Sequence, residues 1–286
     1  MISVGALSPG NQWDQNLLDR LFANQLYHTG LEFRRVSGYP SINVDGCVLI
    51  IPGRYWHERC NEISEAISRY EWVLAIRAGD EDNLLDPYKV YHPNIRWWVQ
   101  TPLAGKDYDG ARLFGVGYPP HFNQLKRQDR DTDVFLAGQN TNPRRRQCFT
   151  ALEKVKATKM VEPTPGFTKG MAPDEYALWM CAAKVAPCPS GPKTPDTFRL
   201  YEALEAHTVP IADDITPAYQ SAGYWRAVFP DAPFPIFTSY ANLPGYISDQ
   251  LEQWPVNANR ITAYWMHQKR QYTLWLREDL EALGAL

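Results

Sequence analysis

The feature that most constrains the fold of this chain is a repeated alternation of short apolar segments with amphipathic ones. Residues 47–51 read CVLII and residues 72–76 read WVLAI. Such continuous apolar runs are typical of strands that are buried on both faces of a sheet. Between them, residues 57–70 have the apolar spacing of a helix. Strands that alternate with helices predict parallel sheets with helices on both faces, the α/β class.

The alternation occurs twice, which predicts two domains of similar build. Strands are expected near residues 2–7, 31–36, 47–51, 72–76, 96–100 and 112–116, and again near residues 133–137, 159–161, 185–188, 209–212 and 235–238. A polar interval at residues 123–132, NQLKRQDRDT, separates the two series. We therefore predict an N-terminal domain over residues 1–125, a second domain over residues 126–256, and a C-terminal helix over residues 257–286 that can cross back to the first domain.

Composition narrows the class of protein. Of the 286 residues, 44% are hydrophobic and 21% are charged, which is usual for a globular chain and argues against disorder. A formal net charge of -3 argues against a general electrostatic affinity for nucleic acid. The cysteine count is odd and no CxxC pair occurs, so we expect free thiols. With no basic leader and no apolar run of about 20 residues, we expect no membrane span and a cytoplasmic location, in a bacterium or a virus-infected host.

One segment carries the clearest sign of chemistry. Residues 184–214 read KVAPCPSGPKTPDTFRLYEALEAHTVPIADD, a buried strand followed by a Pro-Ser-Gly loop and a helix. Thr194 is the expected N-cap of that helix and Pro195 its first residue. A loop of small residues leading into a helix N-terminus favours an anion such as a diphosphate. Arg199 and Glu202, three apart on one helical face, suit a phosphate and the hydroxyls of a ribose respectively.

The same segment resembles the donor-binding segment of exostosin-type glycosyltransferases. The residues that follow that family's pattern in order are Cys188, Pro189, Gly191, Thr197, Arg199, Leu200, Glu202, Ala203, Leu204, Val209, Pro210, Ile211 and Asp213. The preceding EYALWMCAAKVAPC is similar to the family's lead-in, and the likeness covers roughly residues 133–214. The resemblance implies a GT-B architecture, with two Rossmann-like domains whose parallel sheets face a central cleft. It also implies a nucleotide-sugar donor, often a UDP-sugar.

The resemblance further implies roles for individual residues. Glu202 would bind the ribose and Arg199 would lie near the phosphates. Residues 133–146, DVFLAGQNTNPRRR, are similar to the family's opening strand and loop, which would bring one of the three arginines to the donor. The donor site implied in this way comprises Gly138, Asn140, Arg145, Ser190, Gly191, Thr197, Arg199 and Glu202. The usual glycine before the Val-Pro strand is replaced by His207 and Thr208.

The same comparison bears on mechanism. Many retaining GT-B enzymes carry two glutamates eight residues apart, and Thr194 stands at the earlier position here, which favours inversion. GT-B enzymes usually stabilise the leaving diphosphate with amides and basic side chains. No His, Asp and Glu cluster has metal-ligand spacing, and Asp131-Thr-Asp133 is weak evidence for a metal. We therefore expect neither a metal nor a cofactor besides the donor.

An inverting transfer needs one base to take the acceptor proton. We expect it in the first half, where a strand ends. Asp80, in the RAGDED stretch after WVLAI, and Asp14, after the first strand, rank first. The alternatives are Glu81, His57 and Glu58.

The acceptor is open between two classes, a hydroxymethylated pyrimidine in DNA and an intracellular glycan or lipid-linked sugar. DNA would need a basic edge and an aromatic side chain that replaces a flipped base. The residues available are Arg34, Arg35, Lys126, Arg127, Arg130, the arginines at 144–146, Tyr55, Trp97 and Trp98. A non-catalytic nucleotide- or sugar-binding module would keep Arg199 and Glu202 but lack a base. An NAD-dependent oxidoreductase is disfavoured, because no GxGxxG follows a predicted strand.

Overall fold

A computed structural model describes residues 1–7, 12–41, 44–79, 90–103, 105–126, 128–166, 169–191, 193–215 and 223–286. The chain divides into two compact units, Met1–Gly117 with Gln268–Leu286, and Tyr118–His267. Each unit contains one sheet, and all described strand pairs in both sheets are parallel. The predicted α/β class is therefore confirmed.

The first unit is built on a six-stranded sheet of order β2-β1-β3-β4-β5-β6. Its strands are β1 (Ile2–Ala6), β2 (Phe33–Ser37), β3 (Gly46–Pro52), β4 (Trp72–Ala78), β5 (Ile95–Gln100) and β6 (Arg112–Phe114). Helix α1 (Gln12–Thr29) follows β1 and helix α2 (Gly53–Ile67) follows β3. The two apolar runs of the sequence form β3 and β4, which pair in register from Gly46 and Trp72 onward and lie in the core.

The second unit is built on a five-stranded sheet of order β11-β10-β9-β7-β8. Its strands are β7 (Thr132–Gln139), β8 (Lys159–Thr164), β9 (Ala183–Cys188), β10 (Val209–Asp213) and β11 (Ile236–Phe237). Its helices are α3 (Pro143–Glu153), α4 (Pro173–Ala182), α5 (Phe198–Glu205), α6 (Tyr224–Val228), α7 (Leu243–Glu252) and the start of α8 (Val256–Ala282). Buried aromatic rings of Tyr201, Trp225, Phe229 and Trp265 pack together beside α5.

Helix α8 contributes to both units. In its first half, the Trp265 indole Nε1 donates to the Glu205 carboxylate at 2.7 Å, within the second unit. In its second half, Asp279 accepts from the Trp98 indole Nε1 at 2.7 Å, within the first unit. Trp98 is 1% exposed, so this hydrogen bond satisfies a buried indole N–H.

The two sheets share a strand order in which the first and third strands of each unit lie side by side. Those pairs are β1 with β3 and β7 with β9. At such a pair the order of the sheet reverses, and ligands of open parallel sheets bind beyond the carboxyl ends of the strands at this point. The topology therefore directs attention to the segments that follow β7 and β9 in the second unit.

One predicted boundary is wrong. Helix α5 begins at Phe198, with Thr197 in the N-cap position, and not at Pro195 with Thr194 as the cap. The reason is tertiary: the Tyr224 hydroxyl donates to the buried Asp196 carboxylate at 2.6 Å. This contact holds Asp196 against α6 and outside the helix, and it overrides the local Thr-Pro start signal.

Candidate functional site

The candidate site lies at the carboxyl ends of β7 and β9. After β7, Asn142 caps helix α3 by accepting from the Arg145 amide at 3.0 Å, and Pro143 is the first helical residue. After β9, a loop that includes residues 189–191 and 193–197 leads to α5. The two segments meet, because the Arg144 and Arg145 side chains reach back to the backbone of that loop.

Glu202 is the buried carboxylate of this site. It lies on α5, is 6% exposed, and accepts a hydrogen bond from the Tyr176 hydroxyl on its Oε2 at 2.7 Å. Burial raises the pKa of Glu202, while the Arg199 charge and the Tyr176 hydrogen bond oppose that rise. The site therefore holds a desolvated carboxylate next to a cation, and such a group gains from further hydrogen-bond donors.

Arg199 lies one helical turn before Glu202. Its Nη2 donates to the Ala137 carbonyl at 2.6 Å, and its Nε is buried with no hydrogen-bond partner among the described residues. A Cβ atom on Gly138 would overlap the guanidinium, so the glycine is what lets Arg199 approach the end of β7. Burial acts to lower the pKa of Arg199, but Tyr176 and Glu202 outweigh it and the pKa lies above its usual range. Arg199 therefore stays positively charged.

The Ser190–Gly191 loop is held by a second buried carboxylate, Asp213 at the end of β10. Asp213 Oδ1 accepts from the Ser190 amide at 3.0 Å and from the Ser190 hydroxyl, and Oδ2 accepts from the Tyr240 hydroxyl. Burial raises the pKa of Asp213 to about 6, although these hydrogen bonds and Arg144 act against it. The Asp213 carboxylate thus holds the Ser190–Gly191 loop against the end of β10.

Two further guanidinium groups face this loop. Arg144 Nη2 donates to the Gly191 carbonyl at 2.6 Å, and Arg145 Nε donates to the Ser190 carbonyl at 3.4 Å. Burial, together with the charge of Arg199, lowers the pKa of Arg145 to about 10. Burial is the larger cause, and the contribution of Arg199 shows that the two guanidinium groups are close enough to repel each other, which a bound anion would relieve. The site is therefore suited to an anion of more than one negative charge.

The structure brings together most of the donor-site residues that the sequence predicts. Gly138, Arg145, Ser190, Gly191, Arg199 and Glu202 all lie in the contacts described above. Thr197 is buried, but its side chain makes no capping hydrogen bond. Asn140 is exposed directly after β7. Whether these residues bind a donor stays a prediction.

Three residues of the site carry roles that the sequence did not assign. Tyr176 lies in the EYALW lead-in, Arg144 belongs to the arginine run, and Asp213 ends the matched segment. Each stood in a stretch already singled out, but their contacts join elements distant in sequence. The hydroxyl of Tyr240, which bonds Asp213, had no local signal at all.

The predicted bases fall outside the described part of the structure. Asp80 and Glu81 lie in residues 80–89, which are not described, and the side chains of Asp14 on α1 and His57 on α2 are likewise outside it. Glu58 is exposed on α2. Gly79, the residue before Asp80, is tied to the end of β5 by its amide, which donates to the Gln100 side chain at 2.7 Å. The identity of the base stays a prediction.

Several residues expected at a basic edge have structural partners instead. The Arg35 guanidinium pairs with Asp19 at 3.0 Å. Arg130 donates to the Ala183 and Ala206 carbonyls and to the Thr208 hydroxyl, which ties it to the amino ends of β9 and β10. Trp98 is part of the core, and Arg127 lies outside the described residues.

Further properties concern metal, membrane and thiol chemistry. Across the ranges given above, no group of three or more His, Cys, Asp or Glu side chains is placed to hold a metal ion. No helix in the described part of the chain is long and apolar enough to cross a membrane. All five cysteines are free thiols, as the sequence predicts.

Comparison with known sequences gives no family. No family model matches the chain, and no curated protein matches it. The resemblance to exostosin-type glycosyltransferases is therefore not confirmed and stays a prediction.

Comparison with solved structures identifies the fold. Anabaena HepE, solved in complex with UDP, matches over 100% of both chains with a TM-score of 0.57 and 11% identity. An α1,3-fucosyltransferase matches 98% of this chain and 90% of its own with a TM-score of 0.49 and 12% identity. The DNA-modifying enzyme β-glucosyltransferase, solved with and without uridine diphosphoglucose, matches 99% of this chain and 98% of its own. Its TM-score is 0.47 and its sequence identity 12%. The HepE match and the two parallel sheets give the chain a GT-B fold.

Proposed function

We propose that this protein is a glycosyltransferase that moves a sugar from a nucleotide-sugar donor of the UDP-sugar class to an acceptor hydroxyl. The observation that carries the proposal is a buried carboxylate, Glu202, beside the charged Arg199 at the point where the second sheet reverses its strand order. The GT-B fold and the UDP bound to HepE support the assignment of the nucleotide.

The donor would be held by two complementary parts of the site. Glu202 accepts hydrogen bonds from the ribose, as acidic residues do in nucleotide sites of parallel sheets. The diphosphate lies among Arg144, Arg145 and Arg199, whose charges exceed the charges of Glu202 and Asp213 around them. Gly138 provides the space in which Arg199 and the donor approach the backbone.

The reaction that fits this site is an inverting transfer without a metal. The guanidinium groups stabilise the charge that develops on the leaving diphosphate, in surroundings of low dielectric where such contacts are strong. The acceptor hydroxyl loses its proton to a carboxylate of the first unit, for which we propose Asp80 or Asp14. Thr194 occupies the position where a retaining enzyme of this kind has the earlier of its two glutamates.

Two acceptor classes remain in the proposal, a hydroxymethylated pyrimidine in DNA and a glycan or lipid-linked sugar. The contacts of Arg35 and Arg130 and the burial of Trp98 remove three of the residues that favoured DNA. A saccharide acceptor is therefore the first to assay, and hydroxymethylated duplex DNA is the second.

The test of the donor site is ligand-dependent stability. UDP at about 100 times its dissociation constant should raise the free energy of unfolding by about 2.7 kcal/mol. We expect this shift in the wild type and in Glu153→Ala, which removes an exposed acid at the end of α3. Glu202→Ala should lose most of it. A wild type whose stability no nucleotide changes would contradict the donor site.

A second assay separates an enzyme from a binding module. UDP release from UDP-glucose, with and without acceptors, should be measurable for an enzyme and absent for a non-catalytic module that still binds UDP. Asp80→Asn and Asp14→Asn test the base. If both variants turn over at the wild-type rate, neither residue is the base.

A further inference from the structure

The Glu202 carboxylate is held on one side only. Its Oε2 accepts the hydrogen bond from the Tyr176 hydroxyl, whereas no described residue donates to its Oε1. Arg199 does not supply that donor, because its Nη2 donates to the Ala137 carbonyl. One oxygen is therefore committed to the protein and the other is left for a ligand.

Tyr176 is itself rigidly placed. Its ring packs edge-on against Phe135 of β7, with ring centroids 5.2 Å apart, and against Phe122 at 6.2 Å. Burial and the neighbouring Glu202 charge raise the pKa of Tyr176 well above its usual range, so its hydroxyl remains a donor. A hydroxyl fixed by ring packing fixes the carboxylate plane of Glu202 in turn.

A carboxylate oriented in this way can discriminate between sugars. The free oxygen has two lone pairs in fixed directions, which suit the adjacent hydroxyls of a ribose. A 2′-deoxyribose would leave a desolvated carboxylate oxygen without one donor, and sites built around a hydroxyl reject analogues that lack it. The discrimination depends on Glu202 not rotating to find another donor.

We propose that Tyr176 is a positioning residue that fixes Glu202 to read the ribose 2′-hydroxyl, so that the site selects ribonucleotide over 2′-deoxyribonucleotide donors. The inference rests on the proposed function, because it needs a nucleotide at Glu202. It goes further by assigning sugar selectivity to a tyrosine that lies on a different helix from the carboxylate.

The test is the ratio of two dissociation constants, measured by calorimetry for UDP and 2′-deoxy-UDP. The two ligands carry the same phosphates, so any ionisation of those groups cancels in the ratio. We expect the wild type to prefer UDP by about tenfold or more. Tyr176→Phe should reduce the ratio to about twofold by weakening UDP binding and leaving 2′-deoxy-UDP binding nearly unchanged. Tyr264→Phe, which removes the hydroxyl of a half-buried tyrosine on α8, should keep the wild-type ratio.

Glu202→Gln provides a second variant if Tyr176→Phe does not fold. It keeps the shape of the side chain but not its charge, and it should lose the same preference. Equal weakening of both ligands by Tyr176→Phe would reduce Tyr176 to a structural role and overturn the inference. Equal affinity of the wild type for UDP and 2′-deoxy-UDP would overturn the inference and leave the proposed function standing. A wild type that binds neither nucleotide overturns both.

Discussion

The two units of this protein have the same strand order but differ in the segment that follows the third strand. In the first unit, β3 runs directly into α2, whose N-cap is Pro52 with no side-chain hydrogen bond. In the second unit, residues 189–197 separate β9 from α5 and carry the Ser190–Gly191 loop. The shared topology gives each unit an edge where a ligand can bind. The connecting segment then decides whether polar groups converge there.

Two buried arginines make the same contrast. Arg77 on β4 is 1% exposed, and its Nη2 donates to the Gln100 and Thr101 carbonyls, each at 3.0 Å. Arg199 has one such carbonyl contact, to Ala137, and its charge interacts with the buried Glu202 carboxylate. The guanidinium in the first unit joins strand ends. The guanidinium in the second unit lies next to a buried carboxylate in the candidate site.

The largest expected effect comes from replacing each of these arginines by methionine. Arg77→Met leaves two buried carbonyls without their donor and should lower the free energy of unfolding by about 3 kcal/mol. It should leave the UDP dissociation constant unchanged where the protein is folded. Arg199→Met should raise that constant by about 100-fold, because a charge-assisted contact to phosphate is lost. Urea denaturation and calorimetry measure the two quantities, and equal effects of both variants on UDP binding would erase the contrast.

The next effect concerns buried acids and pH. Asp213 titrates at about 6 in the folded protein against an ordinary value of 3.8. Between these values the folded state binds more protons than the unfolded state, so stability from this group is present at low pH and is lost as pH rises towards about 6. The free energy of unfolding of Asp213→Asn, relative to that of the wild type, should therefore rise by about 3 kcal/mol between about pH 4 and about pH 7. Urea titrations at several pH values measure this difference.

Asp19 of the first unit is the matching control. Burial raises its pKa too, and the Arg35 charge opposes the rise, but its side chain is 44% exposed. Asp19→Asn should change the pH dependence of the free energy of unfolding in the same direction as Asp213→Asn, but by a smaller amount. A pH-independent difference between Asp213→Asn and the wild type would mean that Asp213 is not titrating in this range.

The sequence predicts those parts of the molecule that local pattern determines. The strands β3 and β4 follow from continuous apolar runs, which are typical of strands that helices cover on both faces of a sheet. The convergence of Arg199, Glu202 and the Ser190–Gly191 loop follows from the strand-loop-helix order together with parallel topology. The position of the candidate site at the carboxyl edge of the second sheet could therefore be predicted from the sequence.

Tertiary contacts determine what the sequence could not predict. The start of α5 was misplaced because the Tyr224 contact to Asp196 overrides the Thr194-Pro195 signal. The role of Tyr176 depends on how α4 packs on β7, and no spacing along the chain encodes that distance. The base of the first unit stays a prediction, because Asp80 lies outside the described residues.

A third prediction compares glycines on corresponding strands. A Cβ on Gly5 of β1 would lie 2.6 Å from the Pro40 side chain and 2.7 Å from the Gly38 carbonyl, which cannot easily move. Gly5→Ala should therefore cost about 2 kcal/mol of stability without changing UDP affinity. A Cβ on Gly138 of β7 would overlap Arg199 instead. Gly138→Ala should weaken UDP binding about tenfold and change stability less. Unchanged UDP affinity of Gly138→Ala would argue that Arg199 does not touch the donor.

The smallest expected difference is at the helix starts that follow the two strand pairs. Asn142 caps α3 through the Arg145 amide, whereas α2 begins after Pro52 without a side-chain cap. Asn142→Ala should lower the free energy of unfolding by about 1 kcal/mol, and Asn142→Asp should retain the cap and most of that stability. Urea denaturation at one pH measures the stability of both variants. Since the same cap fixes the backbone of Arg145, Asn142→Ala should also weaken UDP binding slightly. A loss of stability with no change in UDP binding would separate the cap from the site and restrict the contrast between the units to the side chains.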